Sequence, residues 1–376
     1  NTTNVDLAAG ILNVRNGYDA FSLDNNRNTL SDEPGYDRQD TNYGSISIHW
    51  NGNKKFTTTA NAGLANSDID YGYDEDWTFD GFHPWGYKST DKYLRDRSTI
   101  NAEIRFVSKE TGRLLADSTD WTFGAYTLNQ DVNLTRQYTY LPADFSSHFA
   151  IERIALFGQT ETQFGNDATV TAGLRLEHHS SSYEDNAGVS FEPRDRLVGG
   201  RIALDRAVSE ALVAYSSISR GYKAGGFNTS GTLDADLREF APETLWNYEV
   251  GIKARSLEDR LTIRAAVFYM QRKNVQIASS IVRTRSNGSS EFIQFTGNAA
   301  EGRNTGLEAD VEYLASPSVL LFARLGLLDS EYRNFVSARG KDLDGREQAH
   351  APSYQFHLGA DFEIGDSVHF KLFIEE

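Results

Sequence analysis

Apolar and polar residues alternate with a period of two along much of this chain. In the segment STINAEIRFV, Ile100 and Ile104 fall on one side of the alternation, while Glu103 falls on the other. Successive side chains of a β-strand point to opposite faces of a sheet, so the pattern predicts strands with one apolar and one polar face. The clearest alternation lies at residues 98–107, 169–178, 247–254, 306–313 and 354–364. We therefore expect an all-β protein with antiparallel strands.

The connections between these segments alternate in length. Short connections rich in Gly, Asn, Asp and Ser, which suit tight turns, lie at residues 51–54, 165–168, 206–209, 256–259, 314–318 and 365–367. Longer polar loops lie at about 67–95, 132–146, 181–194, 222–241, 279–290 and 333–349. Tight turns at one end of the strands and long loops at the other are typical of transmembrane β-barrels. The pattern predicts such a barrel, with roughly fifteen strands of about ten to fifteen residues.

A soluble β-sandwich or β-propeller is the alternative fold, because its strands alternate in the same way. Strands of globular proteins are usually about five or six residues long, which is shorter than the segments found here. The polar faces carry many full charges, as a water-filled lumen allows, and the apolar faces often end in Tyr, Trp or Phe, as a membrane girdle requires. No repeat at a propeller-like spacing is visible. These features favour the membrane barrel.

Composition narrows the class of protein further. The chain has 376 residues, a formal net charge of −16 and no cysteine. The acidic balance disfavours nucleic acid as a partner, and the lack of cysteine excludes cysteine-bound metals. No apolar run approaches the length of about eighteen residues that a membrane-spanning helix needs. No hydrolase, zinc-protease or nucleotide-loop motif occurs, so we expect neither an enzyme nor a cofactor; a barrel hydrolase stays a weaker alternative.

The segment SISRGYKAGGFN, Ser217 to Asn228, is predicted to be the point where an ascending strand leaves the membrane on the loop side. Aromatic rings are favoured at headgroup depth, long basic side chains reach lipid phosphates, and glycines let a strand bend or bulge. The predicted membrane-rim motif comprises Arg220, Gly221, Tyr222, Lys223, Gly225, Gly226 and Phe227. Its expected partners are outer-membrane lipid and lipopolysaccharide. The end of an ordinary soluble hairpin is the alternative.

This segment and several others resemble the barrel of TonB-dependent outer-membrane receptors. The resemblance rests on SRGYKAGGFN, APETLWNYEVGIKA (241–254), GRNTGLEADVEY (302–313) and GREQAHAPSYQFHLGADF (345–362). Near the start, YDAFSLDNNRNTLSDEPGYDRQ (18–39) resembles the early barrel of the ferric-siderophore type. The resemblance covers nearly the whole chain and is densest over residues 198–364.

The resemblance implies a barrel of about 22 strands that is closed by an N-terminal plug domain. It also implies the outer membrane of a Gram-negative bacterium, a ferric siderophore or similar iron chelate as ligand, and energy from TonB delivered through the plug. We expect the plug, the TonB box and the closing strand of such a receptor to lie outside residues 1–376. We therefore expect residues 1–376 to be one partial barrel domain, about 15 of 22 strands. A passive porin and a soluble secreted carbohydrate-binding protein are the alternatives.

The loop at residues 66–93 is richest in candidate binding residues, because aromatic rings there are interleaved with acidic residues. Such rings stack on planar ligands, for example a catecholate or haem. The predicted ligand-binding residues are Tyr73, Trp77, Phe79, Phe82, His83, Trp85 and Tyr87. The alternative is that the rings anchor the loop to itself and to the outer leaflet. The acidic residues lack the spacing of a calcium-binding loop, and we expect no bound metal.

The predicted facing of the strands can be expressed as a pair of substitutions. Val250 falls on the apolar side of its strand and Gly251 on the polar side. Val250→Arg is therefore expected to cost about 2–4 kcal/mol near the membrane midplane. Gly251→Arg is expected to cost less, because its side chain faces water.

Overall fold

The computed structural model describes residues 2–17, 22, 26–33, 35–84, 86–229, 233–256, 258–284, 290–336, 340–365 and 368–376. In this part of the chain the secondary structure consists of eighteen β-strands and two short 3-10 helices, Glu110–Gly112 and Ala235–Leu237. The strands are β1 Thr3–Asn16, β2 Tyr36–Trp50, β3 Phe56–Asp74, β4 Thr90–Ser108, β5 Thr119–Tyr138, β6 Phe145–Phe164, β7 Ala168–Asp185, β8 Ser190–Phe191, β9 Arg194–Ser209, β10 Leu212–Lys223, β11 Gly226–Phe227, β12 Glu239–Phe240, β13 Glu243–Ser256, β14 Leu261–Thr284, β15 Ser290–Ser316, β16 Val319–Arg333, β17 Tyr354–Ile364 and β18 Val368–Glu375. Within the same residues, no helix is long and apolar enough to cross a membrane.

The long strands form one ladder in which each strand pairs with its neighbours in the chain. The sheet has sixteen strands, and β8 pairs with β7 beside the main path, so fifteen strands follow one another along the ladder. The order of the path is β1-β2-β3-β4-β5-β6-β7-β9-β10-β13-β14-β15-β16-β17-β18. The short strands β11 and β12 pair only with each other. The prediction of an all-β, antiparallel protein with roughly fifteen strands is confirmed.

Long and short connections alternate along much of the chain, but the connection 109–118, where a short turn would continue the alternation, is longer than the loop 139–144, and several predicted bounds differ. The turn predicted at 206–209 lies instead at 210–211, because β9 continues to Ser209, which is paired with Leu212. The loop predicted at 132–146 shrinks to 139–144, between β5 and β6. Polar residues at the strand ends resemble loop residues in composition, but the backbone ladder continues through them. Because successive strands are antiparallel, long loops and short turns leave from opposite strand ends.

The chain divides into two compact units. The first comprises residues 1–109, 123–156 and 177–196, and the second comprises residues 110–122, 157–176 and 197–376. In the first unit, β1 to β4 form continuous antiparallel pairs from Thr3↔Trp50 to Asp74↔Thr90. In the second unit, β13 to β16 do the same, and the pair β14–β15 is the longest of all.

One face of the sheet is apolar and exposed. In the first unit, Leu64 lies opposite Ile100, and both side chains are exposed. In the second unit, Val250 pairs with Val267 on the corresponding face of β13 and β14, and Val250 is 57% exposed. Apolar side chains recur at every second position along these strands, so each of the two strand pairs exposes an apolar area on one face. An area of this kind is expected of a surface that contacts another apolar phase.

The opposite face of the sheet is polar and held by cross-strand ion pairs. Asp310 on β15 accepts a hydrogen bond of 2.8 Å from Arg264 Nη1 on β14 and one of 2.9 Å from Arg324 Nε on β16. The three residues lie directly opposite one another in the ladder. The charges that alternate with apolar residues in the sequence are therefore paired across strands.

Gly251 also lies on the polar face, but it has no room for a side chain. A Cβ atom there would lie 2.6 Å from the ring of Tyr215 and 2.6 Å from the carbonyl oxygen of Ala265. The Tyr215 hydroxyl donates a hydrogen bond of 2.9 Å to Glu249, which keeps the ring in place. The expectation that Gly251→Arg costs less than Val250→Arg does not hold, because the arginine side chain would clash with this ring and with the backbone. The sequence alone gives no sign that the ring covers Gly251.

Candidate functional site

The aromatic loop is shorter than the predicted range 66–93. Strand β3 continues to Asp74, which pairs with Thr90 at the start of β4, so the connection comprises residues 75–89. The acidic residues of the preceding segment belong to the strand, where Asp68 lies opposite Asp96. The predicted boundary is wrong because charged residues, which are common in loops, here continue the strand.

A buried carboxylate lies directly below this loop. Asp91 on β4 is 1% exposed and accepts hydrogen bonds from three side chains. The Tyr73 hydroxyl lies 3.3 Å and the Tyr93 hydroxyl 2.9 Å from Asp91 Oδ2. Arg136 on β5 donates through Nε to Oδ1 at 2.9 Å and through Nη2 to Oδ2 at 2.7 Å. A bidentate pair of this kind fixes both side chains in one geometry.

Aromatic rings pack on one another around this ion pair. The Arg136 guanidinium lies 5.2 Å from the ring centre of Tyr93 and 4.7 Å from that of Tyr138, within the range of cation–π attraction. The ring of Tyr73 stacks on Trp77 with centres 5.4 Å apart. These contacts join β3, β4 and β5 beneath the loop.

The loop itself is closed by Asp76. Its Oδ1 accepts hydrogen bonds from the backbone N–H of Thr78 at 3.1 Å and from the Thr78 hydroxyl at 2.7 Å. Its Oδ2 accepts the backbone N–H of Ser89 at 2.6 Å, which joins the two ends of the loop. Trp77, between them, has a φ of 59° in the left-handed region, a conformation that is uncommon for residues other than glycine. The three hydrogen bonds and the ring stacking hold it there.

Tyr87 joins the far side of the loop to its start and to the neighbouring connection at residues 139–144. Its hydroxyl donates a hydrogen bond to Glu75, and its ring stacks on Tyr140 with centres 5.7 Å apart. Burial, together with the hydrogen bond to Glu75, raises the pKa of the Tyr87 hydroxyl above its ordinary value, so it stays a donor. His83 packs edge-on against Tyr87, and its Nε2 is buried with no hydrogen-bond partner among the residues that the structure describes.

The structure divides the predicted ligand-binding residues into two groups. Tyr73 lies on β3, where Trp77 of the loop stacks on it, and Tyr87 stacks on Tyr140 of the neighbouring connection. Phe79 and Phe82 form an edge-to-face pair 5.4 Å apart at the tip, and their side chains are 47% and 43% exposed. These two rings are the part of the predicted set that is accessible to a ligand. Trp85 lies outside the described residues.

An acidic segment before β2 also contacts the loop, which the sequence did not suggest. Asp32 Oδ2 accepts the backbone N–H of Asp80 at 2.9 Å. Lys88 lies 3.5 Å from Glu33 and 4.0 Å from Asp32, and the negative charge of Asp32 raises the pKa of Lys88. Lys88 is the one basic residue in the sequence of the loop. This single positive charge among acidic residues is the feature of the sequence that could have indicated an ion pair with another acidic segment.

The predicted rim motif lies at the end of β10 and the start of the next loop. Arg220 donates a hydrogen bond to the carbonyl oxygen of Val198. The Tyr222 hydroxyl accepts a hydrogen bond of 3.2 Å from Arg175, and a Cβ atom at Gly199 would lie 3.0 Å from the Tyr222 ring. Tyr222 thus packs on a glycine beside a polar-face arginine.

The glycines of the motif allow close backbone contacts rather than a free bend. A Cβ atom at Gly225 would lie 2.7 Å from the carbonyl oxygen of Phe240, and one at Gly226 would lie 2.9 Å from the Phe240 ring. Gly221 has open space around it, and Phe227 is 8% exposed. Little of the Phe227 ring is therefore available to a lipid headgroup. Contact of Arg220, Tyr222 and Lys223 with lipid stays a prediction.

In the part of the chain that the structure describes, no group of three or more His, Asp or Glu residues is placed to hold a metal ion. The buried carboxylates described above are instead satisfied by Arg136, tyrosine hydroxyls and backbone N–H groups. Their role is to hold the loop in position.

Comparison with known proteins agrees with the resemblance. The family model for the TonB dependent receptor-like beta-barrel matches residues 1–371. The pesticin receptor of Yersinia pestis is 23% identical over 276 residues, which are 69% of this chain and 39% of that receptor. The pesticin receptor of Yersinia enterocolitica matches over the same shares. The chain thus spans well under half the length of these curated relatives.

Two solved structures are similar in fold. The ferric yersiniabactin uptake receptor FyuA from Yersinia pestis has a TM-score of 0.74 at 17% identity, over 96% of this chain and 54% of that chain. The siderophore receptor PiuA from Acinetobacter baumannii has a TM-score of 0.71 at 16% identity, over 99% of this chain and 61% of that chain. At these identities the likeness shows the fold alone.

The relatives named above are receptors and not enzymes, in agreement with the expectation from the sequence. The family match extends over almost the whole chain. The chain therefore belongs to the TonB-dependent receptor-like β-barrel family, whose members lie in the outer membrane of Gram-negative bacteria.

Proposed function

We propose that this chain is the barrel part of a receptor that takes up a ferric siderophore with energy delivered by TonB. The observation that carries the proposal is the family match over residues 1–371. The similar structures include receptors for ferric yersiniabactin and for another siderophore. In this proposal residues 1–376 belong to one barrel domain, and a plug elsewhere in the whole protein contacts TonB.

The aromatic loop is the proposed site of first contact with the ligand. Phe79 and Phe82 present exposed ring area at its tip, and exposed rings gain free energy by packing on the apolar or aromatic parts of a chelate. The Asp91–Arg136 ion pair and the Asp76 hydrogen bonds fix the loop below them. A binding surface on a rigid support loses less conformational entropy when the ligand binds.

The proposal is tested with the whole receptor in a host that lacks its own siderophore receptors. Radioactive iron is supplied as catecholate, hydroxamate, carboxylate and mixed chelates, in the presence and absence of TonB. We expect uptake of one class of chelate, saturable at low concentration and lost without TonB. Uptake of no chelate would contradict the proposed substrate, and TonB-independent passage of unrelated small solutes would indicate a passive porin instead.

A further inference from the structure

A second polar network lies on the long-loop side of the other compact unit. Its centre is Glu243, the first residue of β13, whose side chain is 5% exposed. Arg272 Nε donates to Glu243 Oε1 at 2.8 Å, and the backbone N–H of Gln276 donates to Oε2 at 2.8 Å. Lys223 lies 3.6 Å from the same oxygen. The buried carboxylate is therefore fully paired, as a buried charge must be.

Gln348 extends this network into the loop at residues 334–353. The side chain is buried, although its loop neighbours Glu347 and Ala349 are exposed. Its Oε1 accepts a hydrogen bond of 2.9 Å from Arg272 Nη1. Its Nε2 donates to Asn304 Oδ1 at 2.7 Å and to the carbonyl oxygen of Glu331 at 3.1 Å. Both ends of the amide are thus satisfied by strands β14, β15 and β16.

A glycine provides the space for this amide. A Cβ atom at Gly302 would lie 3.0 Å from Gln348 Nε2 and 3.3 Å from Val275 Cγ2. A glycine on β15 and a glutamine 46 positions later in the chain are thus complementary in volume. Four of the five segments that carry the family resemblance meet here, through Lys223, Glu243, Gly302 and Gln348.

Gln348 is the main side-chain attachment of residues 347–353, the last part of its loop. Among the described residues, the side-chain hydrogen bonds of residues 347–353 all belong to Gln348. Residues 347–353 are also bonded to the sheet through the backbone, where the N–H of Leu328 donates to the carbonyl oxygen of Ser353 at 2.9 Å. Next to Gln348, His350 has a φ of 59°, in the left-handed region that a non-glycine residue adopts only when its surroundings hold it.

We propose that Gln348 is a positioning residue, which latches residues 340–353 of this loop to strands β14 to β16 so that this part of the loop takes part in ligand capture. This inference rests on the proposed function. An apolar contact would hold a loop on the sheet, but a buried polar network also fixes one arrangement of its members. A loop that contributes to a binding surface needs that fixed arrangement, because its own side chains must be supported from below.

Two variants of the whole receptor open the latch in different ways. Gln348→Ala removes the amide, whereas Gly302→Ala pushes it out and leaves the sequence of the loop unchanged. Gly326→Ala is the matched control, since a Cβ atom at Gly326 has no neighbour within 4 Å in the described part of the chain. Each variant is first checked for a folded barrel by its resistance to SDS without heating.

The first measurement is tryptic cleavage after Arg346, followed by mass spectrometry of the peptides. Arg346 is exposed, but its carbonyl oxygen is bonded to Tyr332 N at 2.8 Å while the loop is closed. Proteolysis of a native protein follows the population of the locally opened state. We expect cleavage to accelerate about tenfold in Gln348→Ala, because the variant loses a charge-assisted hydrogen bond. We expect a smaller acceleration in Gly302→Ala. Unchanged cleavage in both would overturn the latch.

The second measurement is the dissociation constant of the iron chelate that the wild-type receptor takes up. We expect the dissociation constant to rise about threefold to tenfold in both variants. In the control variant we expect it to stay at the wild-type value. Faster cleavage with unchanged affinity would show that the loop is held but does not serve capture, which overturns the positioning role. If the wild-type receptor takes up no chelate, the proposed function and the positioning role both fail, while the cleavage rates still decide the latch.

Discussion

Asp91 is the residue whose loss has the largest expected effect on the aromatic loop. Its carboxylate is the shared acceptor of Arg136, Tyr73 and Tyr93. Asp91→Ala leaves the half-buried Arg136 without its counter-charge. We expect the free energy of unfolding to fall by about 3 kcal/mol. This is the lower end of the range for breaking a buried ion pair, because Arg136 keeps partial contact with solvent.

The measurement is urea-induced unfolding of the whole receptor in lipid vesicles. Asp131→Ala serves as the control, since Asp131 is exposed and lies 3.8 Å from His148 on the neighbouring strand. A surface pair of this kind is worth less than about 1 kcal/mol. Equal losses in the two variants would show that the Asp91 network does not hold the loop.

The two exposed rings of the loop tip give a prediction about ligand affinity. Phe79→Ala and Phe82→Ala each remove accessible ring area without opening a buried cavity. We expect the dissociation constant for the iron chelate to rise about two- to tenfold, since a ring contact is worth about 0.5–1.5 kcal/mol. Phe164→Ala, which removes an exposed ring beside the short turn after β6, is the control. The dissociation constants are measured by titration. Unchanged values in the two loop variants would show that this loop is not part of the binding site.

At the scale of the strands, the alternation of side chains was enough to predict strand type, pairing direction and facing. It did not give the strand ends, because polar residues such as Asp68 and Arg206 continue the ladder where loop composition was expected. The candidate site could be predicted only in part. The exposed rings lie within one stretch of sequence, whereas the Asp91–Arg136 pair joins residues 45 positions apart, and its formation depends on the register of β4 and β5.

The facing of the strands predicts the effect of a charge on each side of the sheet. Val250→Arg places a charge on the exposed apolar face and is expected to cost about 2–4 kcal/mol near the midplane. Gly326→Arg is the control on the polar face of β16, where a side chain has open space, and it is expected to cost below about 1 kcal/mol. Urea-induced unfolding in vesicles measures both. Equal costs would mean that the apolar face does not contact lipid.

For the whole molecule, the alternation of loops and turns predicts which side of the membrane each connection faces. The chain has no cysteine, so single cysteines can be introduced without competing thiols. Ala187→Cys lies in the connection between β7 and β8, and Ala211→Cys lies in the tight turn between β9 and β10; both positions are exposed. Intact cells are treated with a polymer-linked maleimide that is too large for porins.

We expect rapid labelling of Ala187→Cys in intact cells, and labelling of Ala211→Cys only after the outer membrane is permeabilised. The reason is that outer-membrane barrels place long loops outside and short turns in the periplasm. An odd number of strands between two connections puts them on opposite sides of the membrane. The path from residue 187 to residue 211 contains one full spanning strand, β9, so labelling of both positions from outside would show that β9 does not cross the membrane. The reverse labelling pattern would invert the orientation and place the aromatic loop in the periplasm, where it could not meet an external chelate.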